Sequence, residues 1–481
     1  MLDKDDLRGS TQITSESKAN APLNLVIIAL ILLAFSLVIW LTLTYGKREE
    51  RISISFKPFT LKQLLRLDVN IDIKSLSNEL KSDELTQICS RVEKIRGLRF
   101  TETPSFVEVS EKVLRLYILE EFVEESRTGE IEADRKLLVA LGLLSPEEDL
   151  VSILLDVLTE QIIGTYNTEE KLITIVKGKN LSELTDELTV AHEVTHALQD
   201  QIFNLKEPPL RNDAYTSDTD LAIESLLEGD AMSTMIEYAK TYIEPEVFLR
   251  SQLESSEFSP SKLDEAPLYI RKSILFPYEA GLDFVTRLSQ QADTHAVNRA
   301  FSDPPLSTEQ ILIPDKYLYQ RDNPVSVELQ DISETLGKGW KLINEDTMGT
   351  FDIKIWFELY DESFASEYVS NGWGGNAVQY YEGPSDGFVV INKFTWDTRT
   401  DAEEFYTYFQ KMMYKRFDKA KLLEKKDSHY VFQGHGQFFY CGIKGNDTLC
   451  VQSNQKVQIE KALSKFPEFP VWKAHTPPFF G

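Results

Sequence analysis

The stretch Leu188–Asp200, reading LTVAHEVTHALQD, constrains the chain more than any other. Histidines at i and i+4 share one face of a helix, so the imidazoles of His192 and His196 point the same way. Leu188, Val190, Ala191, Val194, Ala197 and Leu198 surround them, and no Gly or Pro interrupts the run, which predicts a buried helix. Two neutral imidazoles one turn apart can share a Zn²⁺ at about 2.0–2.1 Å each. Glu193, about 100° round the helix, then stands at the rim of the site, where it can take a proton from an activated water. Only six histidines occur in 481 residues. Chance alone would give the pattern on the order of 0.01 times in such a chain. The plain alternative, a surface helix with a histidine pair and no metal, leaves the apolar flanks unexplained.

Hydrophobic content of 42% gives ample core, and a net charge of −26 argues against nucleic acid as a partner. Three cysteines, Cys89, Cys441 and Cys450, are too few for a disulfide scaffold and lack metal-binding Cys-x-x-Cys spacing. Nothing in the sequence sets an oligomeric state.

In chain order, residues 1–22 are polar and read as a flexible tail. Residues 23–45 are almost wholly apolar and long enough for a transmembrane anchor, with charged Lys47, Arg48 and Arg51 after it where a cleavage site would need small residues. This predicts a single-pass protein of the cell membrane. Residues 46–95 form a charged stalk or lead-in, 96–345 the metal-bearing domain and 346–481 a C-terminal α+β domain. Segments 98–100 and 107–109 read as a strand pair. A hairpin over 164–176 ends in a strand at 171–176, placed before the His192 helix as the edge strand that would hold an extended substrate. Phe351–Leu359 reads as strand or helix. Gly445-Asn446 predicts a two-residue hairpin turn that sets Cys441 opposite Cys450 at a non-hydrogen-bonded position. Either a disulfide or two buried thiols fits that register. Basic residues flanking the anchor weakly favour a cytoplasmic bulk. A disulfide favours an extracytoplasmic one, and the second is the expectation adopted.

Zinc needs a third protein ligand and an open position. The candidates are Glu224 and Glu228 on the apolar-striped stretch Leu221–Met232, themselves i and i+4. One would bind metal while the other orients a histidine.

With that carboxylate, the pattern resembles the gluzincin metallopeptidases, the thermolysin and aminopeptidase-N-like group. Leu227-Glu228-Gly229-Asp230-Ala231 is similar to the aminopeptidase Asn-Glu-Gly-x-Ala segment, which implies Glu228 as ligand. Glu224-Ser225-Leu226-Leu227-Glu228 also resembles thermolysin's Glu-x-x-x-Asp, which implies Glu224. Glu228 is the ligand expected here. Phe276-Pro277-Tyr278-Glu279-Ala280-Gly281 is similar to the aminopeptidase Pro-Tyr-Glu-Lys-Gly, with Ala280 in place of Lys, and implies that Tyr278 donates to the oxyanion. Tyr278 could equally be a core residue opening a helix over 278–288. The Gly-x-Met-Glu-Asn exopeptidase segment is missing, so an endopeptidase is expected. Over about 96–409 the chain looks closer still to uncharacterised bacterial membrane-anchored HExxH proteins, sharing Asp303–Leu312, Gly372–Gly375 and Trp396–Thr398.

The expected fold is α+β: a mainly helical zincin-like catalytic domain with a small active-site sheet, a C-terminal α+β domain and one N-terminal transmembrane helix. The expected activity is a zinc metallopeptidase acting on a peptide or protein substrate. His192, His196 and Glu228 bind metal, and Glu193 and Tyr278 are catalytic. The competing expectation is an inactive zinc-binding module for protein interaction at the cell surface.

Overall fold

The computed structural model describes residues 77–117, 130–160, 164–178, 184–212, 214–246, 262–291, 295–360, 363–417 and 420–472. All but 244–246 belong to the compact unit Ile52–Ile243 with Pro260–Gly481. The architecture is α+β. It corrects the fold class expected from sequence on one point: no helix among the described residues is long and apolar enough to cross a membrane. The segment 23–45 lies outside the described residues.

A small sheet has the order β1-β2-β4-β3, with β1 Asn78–Glu79, β2 Ser105–Val109, β3 Gly164–Asn167 and β4 Leu172–Val176. β2 and β4 run parallel, and β3 folds back on β4 as the expected hairpin. Residues 98–100 are not a strand; β2 pairs instead with β1. The five residues of β4 are buried throughout, as suits a strand covered on both faces and both edges. The edge beside the histidine helix is therefore β3, not 171–176. A hairpin is legible locally, but the parallel partner that takes the other edge of β4 lies over sixty residues away in sequence.

The same part of the chain holds four long helices, α1 Asp83–Arg96, α2 Leu184–Phe203, α3 Ser217–Tyr242 and α4 Leu268–Gln291, and α2 packs on β3 and β4. Thr216 caps α3, its side chain accepting from the Thr219 amide. α4 begins ten residues before the predicted start at 278 and carries Pro277 inside it. Ala222, Ile223 and Leu226 of α3 meet Phe276, Phe284 and Val285 of α4 in a core that also takes Phe351 and Ile355. Each such fully buried large side chain contributes about 1.5–3 kcal/mol.

The second sheet has seven antiparallel strands in the order β5-β6-β7-β11-β10-β9-β8. They are β5 Lys341–Asp346, β6 Trp373–Gly383, β7 Gly387–Trp396, β8 Lys421–Lys426, β9 His429–Gly434, β10 Gln437–Lys444 and β11 Asp447–Ser453. Alternation sorts its side chains. Val389 and Ile391 face one core with Ile459 and Leu463 of the last helix, α8 Lys456–Leu463; Val390, Phe394 and Trp396 face the other. That other face is covered by Phe405, Phe409 and Met412 of helix α7, Arg399–Arg416, and by Trp356. Trp356 rides on Thr350–Leu359, which is a helix (α6). Because α6 feeds Phe351 and Ile355 to the helical core and Trp356 to the sheet core, it ties the two layers together.

Candidate metal centre

α2 presents two working faces. His192, His196 and Gln199 look towards α3, while Glu193 and Asp200, seven residues apart, look towards β3. There the Tyr166 amide donates to Glu193 Oε2 at 2.8 Å and the Tyr166 hydroxyl to Asp200 Oδ2 at 2.7 Å. One residue of the edge strand thus clips the helix at two points and fixes the Glu193 carboxylate beside the histidines.

Opposite, α3 delivers Glu228. Its Oε2 lies 3.1 Å from His192 Nε2 and 3.4 Å from His196 Nε2, and the two Nε2 atoms are 3.0 Å apart. The three atoms stand close enough together for each to offer one ligand to a single metal ion. The three side chains are mostly but not wholly buried. Glu224, the alternative ligand, falls outside this trio and is exposed.

Tyr278 comes to the same place from α4, its ring stacked towards His192 with centroids 6.3 Å apart. Two glycines let it approach. A Cβ on Gly229 would stand 2.2 Å from the Gly281 carbonyl, and one on Gly281 2.0 Å from the Ser225 carbonyl oxygen. α3 and α4 therefore touch backbone to backbone beside Glu228, one turn from Tyr278. The glycines after Glu228 and Tyr278 in the two motifs are packing residues, a role the sequence reading did not assign.

The charges respond to this crowding. Burial alone would raise the Glu228 carboxyl and discharge His196, but their pairing wins: Glu228 is held well below the usual carboxylate range and His196 is pushed up to about 9. Burial, only partly offset by the histidines and the Tyr166 amide, raises Glu193. Glu228 first, then burial, Glu224 and Glu193, raise the Tyr278 phenol well above its ordinary value, so it stays a proton donor. A proton on His196 thus serves the trio as a cation would.

Behind the trio stands a support that the sequence reading missed. Gln199 Oε1 accepts from His196 Nδ1 at 3.0 Å, which turns Nε2 towards Glu228 and His192. The Gln199 amide nitrogen is pinned by Asp230 Oδ2 at 2.9 Å and the Leu227 carbonyl at 3.0 Å, and Asp230 is held by Arg96 at 3.0 Å. The signal was present: Gln199 lies three residues after His196, on the same face.

A second acidic group, Glu309, Asp322 and Asp397, also converges among the described residues. Lys316 Nζ fills it, at 2.6, 2.9 and 2.7 Å from the three carboxylates. The segment carrying Glu309, helix α5 Thr308–Leu312, joins elements together: the Thr308 hydroxyl donates to Asp218 at the start of α3 and accepts from the Phe351 amide of α6 at 3.0 Å. Glu309 belongs to that junction and not to the histidine trio. Trp373, in the Gly372–Gly375 segment, is packed in the sheet core.

Fold and site together define an α+β protein with a two-histidine, one-carboxylate cluster next to an edge strand. Residues 338–462 match a family described as a domain of unknown function, DUF8575, which covers β5 to α8 and leaves the cluster outside. No curated protein and no solved structure matches the chain.

Proposed function

We propose that this chain is a zinc-dependent metallopeptidase that cuts internal bonds of a peptide or protein substrate. One observation carries the reading: His192, His196 and Glu228 converge at 3.0–3.4 Å, with Glu193 fixed beside them by a backbone amide. Zinc bound by these three side chains would supply Lewis acidity, making a water molecule more acidic and polarising the scissile carbonyl. Glu193 takes the proton of the attacking water and returns it to the leaving amine. Tyr278 keeps its proton and donates to the oxygen on which negative charge develops. Gln199 holds the His196 ring in the tautomer whose Nε2 lone pair faces the metal position. An extended substrate would pair with the backbone groups of the outer edge of β3 other than the Tyr166 amide, which Glu193 holds. A base in this position favours chemistry over a purely structural metal site, which needs none.

The test is metal analysis of the full chain together with casein cleavage by wild type and Glu193→Gln. Stoichiometric zinc in both, with cleavage lost by about 10²–10⁴-fold in the variant, is expected. Zinc in both, with neither cutting casein or any member of a broad peptide library, would sink the proposal and leave a metal-binding interaction module.

A further inference from the structure

The cysteines take no part in the candidate centre, yet two of them meet in the core of the second sheet. β10 and β11 pair antiparallel with Cys441 directly opposite Cys450. The Ile443 amide donates to the Ser428 carbonyl at 2.9 Å, away from β11. Cys441, two residues back along the strand, has the same orientation, so the cysteines occupy a non-hydrogen-bonded pair. Such pairs bring Cα atoms to about 4.5 Å, inside the span of about 4.4–6.8 Å that a disulfide bridges. The side chains already point at each other, with the sulfurs 3.3 Å apart. A bond at about 2.05 Å needs only a further closure of about 1.3 Å, which small rotations of both side chains supply. Cys89, the remaining cysteine, lies on α1.

We propose that Cys441 and Cys450 form a disulfide that staples β10 to β11, installed by exchange with a disulfide donor of the glutathione class. Both residues are buried, Cys450 at 8% exposure and Cys441 at 1%, so a donor reaches them when the sheet opens locally. One of the two thiolates attacks the donor, forming a mixed disulfide and releasing one donor thiol. The other thiolate then displaces the second donor thiol. Two protein S–H bonds are replaced by one S–S bond, and the donor leaves as two thiols carrying both electrons and both protons.

The test uses the full chain, purified without reductant, incubated with glutathione disulfide, then unfolded in N-ethylmaleimide and weighed. The expected product is two hydrogens lighter than the reduced chain and takes one maleimide, on Cys89; after reduction it takes three. Trypsin cuts after Lys444, between the two cysteines, so it should release two peptides that stay joined until reductant is added. Cys450→Ser should take two maleimides, and the wild-type masses stand on their own if that variant does not fold. Three maleimides on the glutathione-treated wild type, or glutathione retained on either cysteine, would overturn the proposal.

Discussion

Replacing Gly281 with alanine tests the packing that brings Tyr278 to the histidine–glutamate trio. The new Cβ would lie 2.0 Å from the Ser225 carbonyl oxygen, 2.9 Å from its carbon and 3.1 Å from the Gly229 nitrogen. Contacts below 3.0 Å are essentially never made by real Cβ atoms, and these neighbours are backbone, so no rotamer change relieves them. α4 must therefore retreat from α3 by about 1 Å. Overpacking of this kind costs about 1–3 kcal/mol. With about 2.1 cal/mol/K of unfolding entropy per residue over roughly 400 residues, the melting temperature falls by about 1–4 °C. Tyr278 rides one turn earlier on the same helix and shifts with it. A misplacement of about 1 Å at the chemistry costs about 10²-fold in rate. Zinc content should not change, because the proposed ligands lie on α2 and α3. The assay is kcat/KM on a fluorescence-quenched peptide, with thermal melting and zinc analysis, for Gly281→Ala and Tyr278→Phe. Tyr278→Phe should lose a comparable factor in kcat with zinc retained. A Gly281→Ala protein that melts with the wild type and cuts as fast would refute the close-contact argument.

Three further outcomes are expected. Gln199→Leu removes the partner of His196 Nδ1 and should weaken zinc binding by about 10–100-fold in chelator competition; unchanged affinity would mean that the ring needs no such support. Lys316→Met leaves three carboxylates without their shared cation, one of them on Glu309 at 1% exposure, and should destabilise the protein by about 3–5 kcal/mol in denaturant titrations while zinc content stays unchanged; a loss below about 1 kcal/mol would count against the network. Burial pushes Asp218 up to about 7, with Thr308 opposing and Asp352 adding to the rise. Between about pH 4 and that value the folded chain keeps a proton that the unfolded chain has lost, so this group makes stability fall as pH rises through the window and level off above it. Asp218→Asn should flatten that slope in melting curves; an equally steep profile would exclude the group.

Much of the centre was legible because its geometry is local. His192, Glu193 and His196 lie within five residues of one helix, and helical periodicity alone puts both imidazoles on one side. Gln199 carried the same kind of signal. The choice between Glu224 and Glu228 did not, since both lie on one face of α3 and only the crossing with α2 selects Glu228. Lys316 and its partners are joined across up to 81 residues, with no periodicity to report it.

The sequence by itself determined the elements whose order depends on neighbours a few residues apart: the α2 helix with its histidine face, the 164–176 hairpin and the turn at Gly445-Asn446 that sets Cys441 against Cys450. Tertiary structure decided which edge is open, because the parallel pairing of β2 with β4 covers one side of β4 and leaves β3 outermost. It also decided how near Tyr278 stands to Glu228. That distance depends on two glycines, 229 and 281, meeting across a helix interface. A residue without a side chain leaves no pattern that shows which other backbone will fill its place.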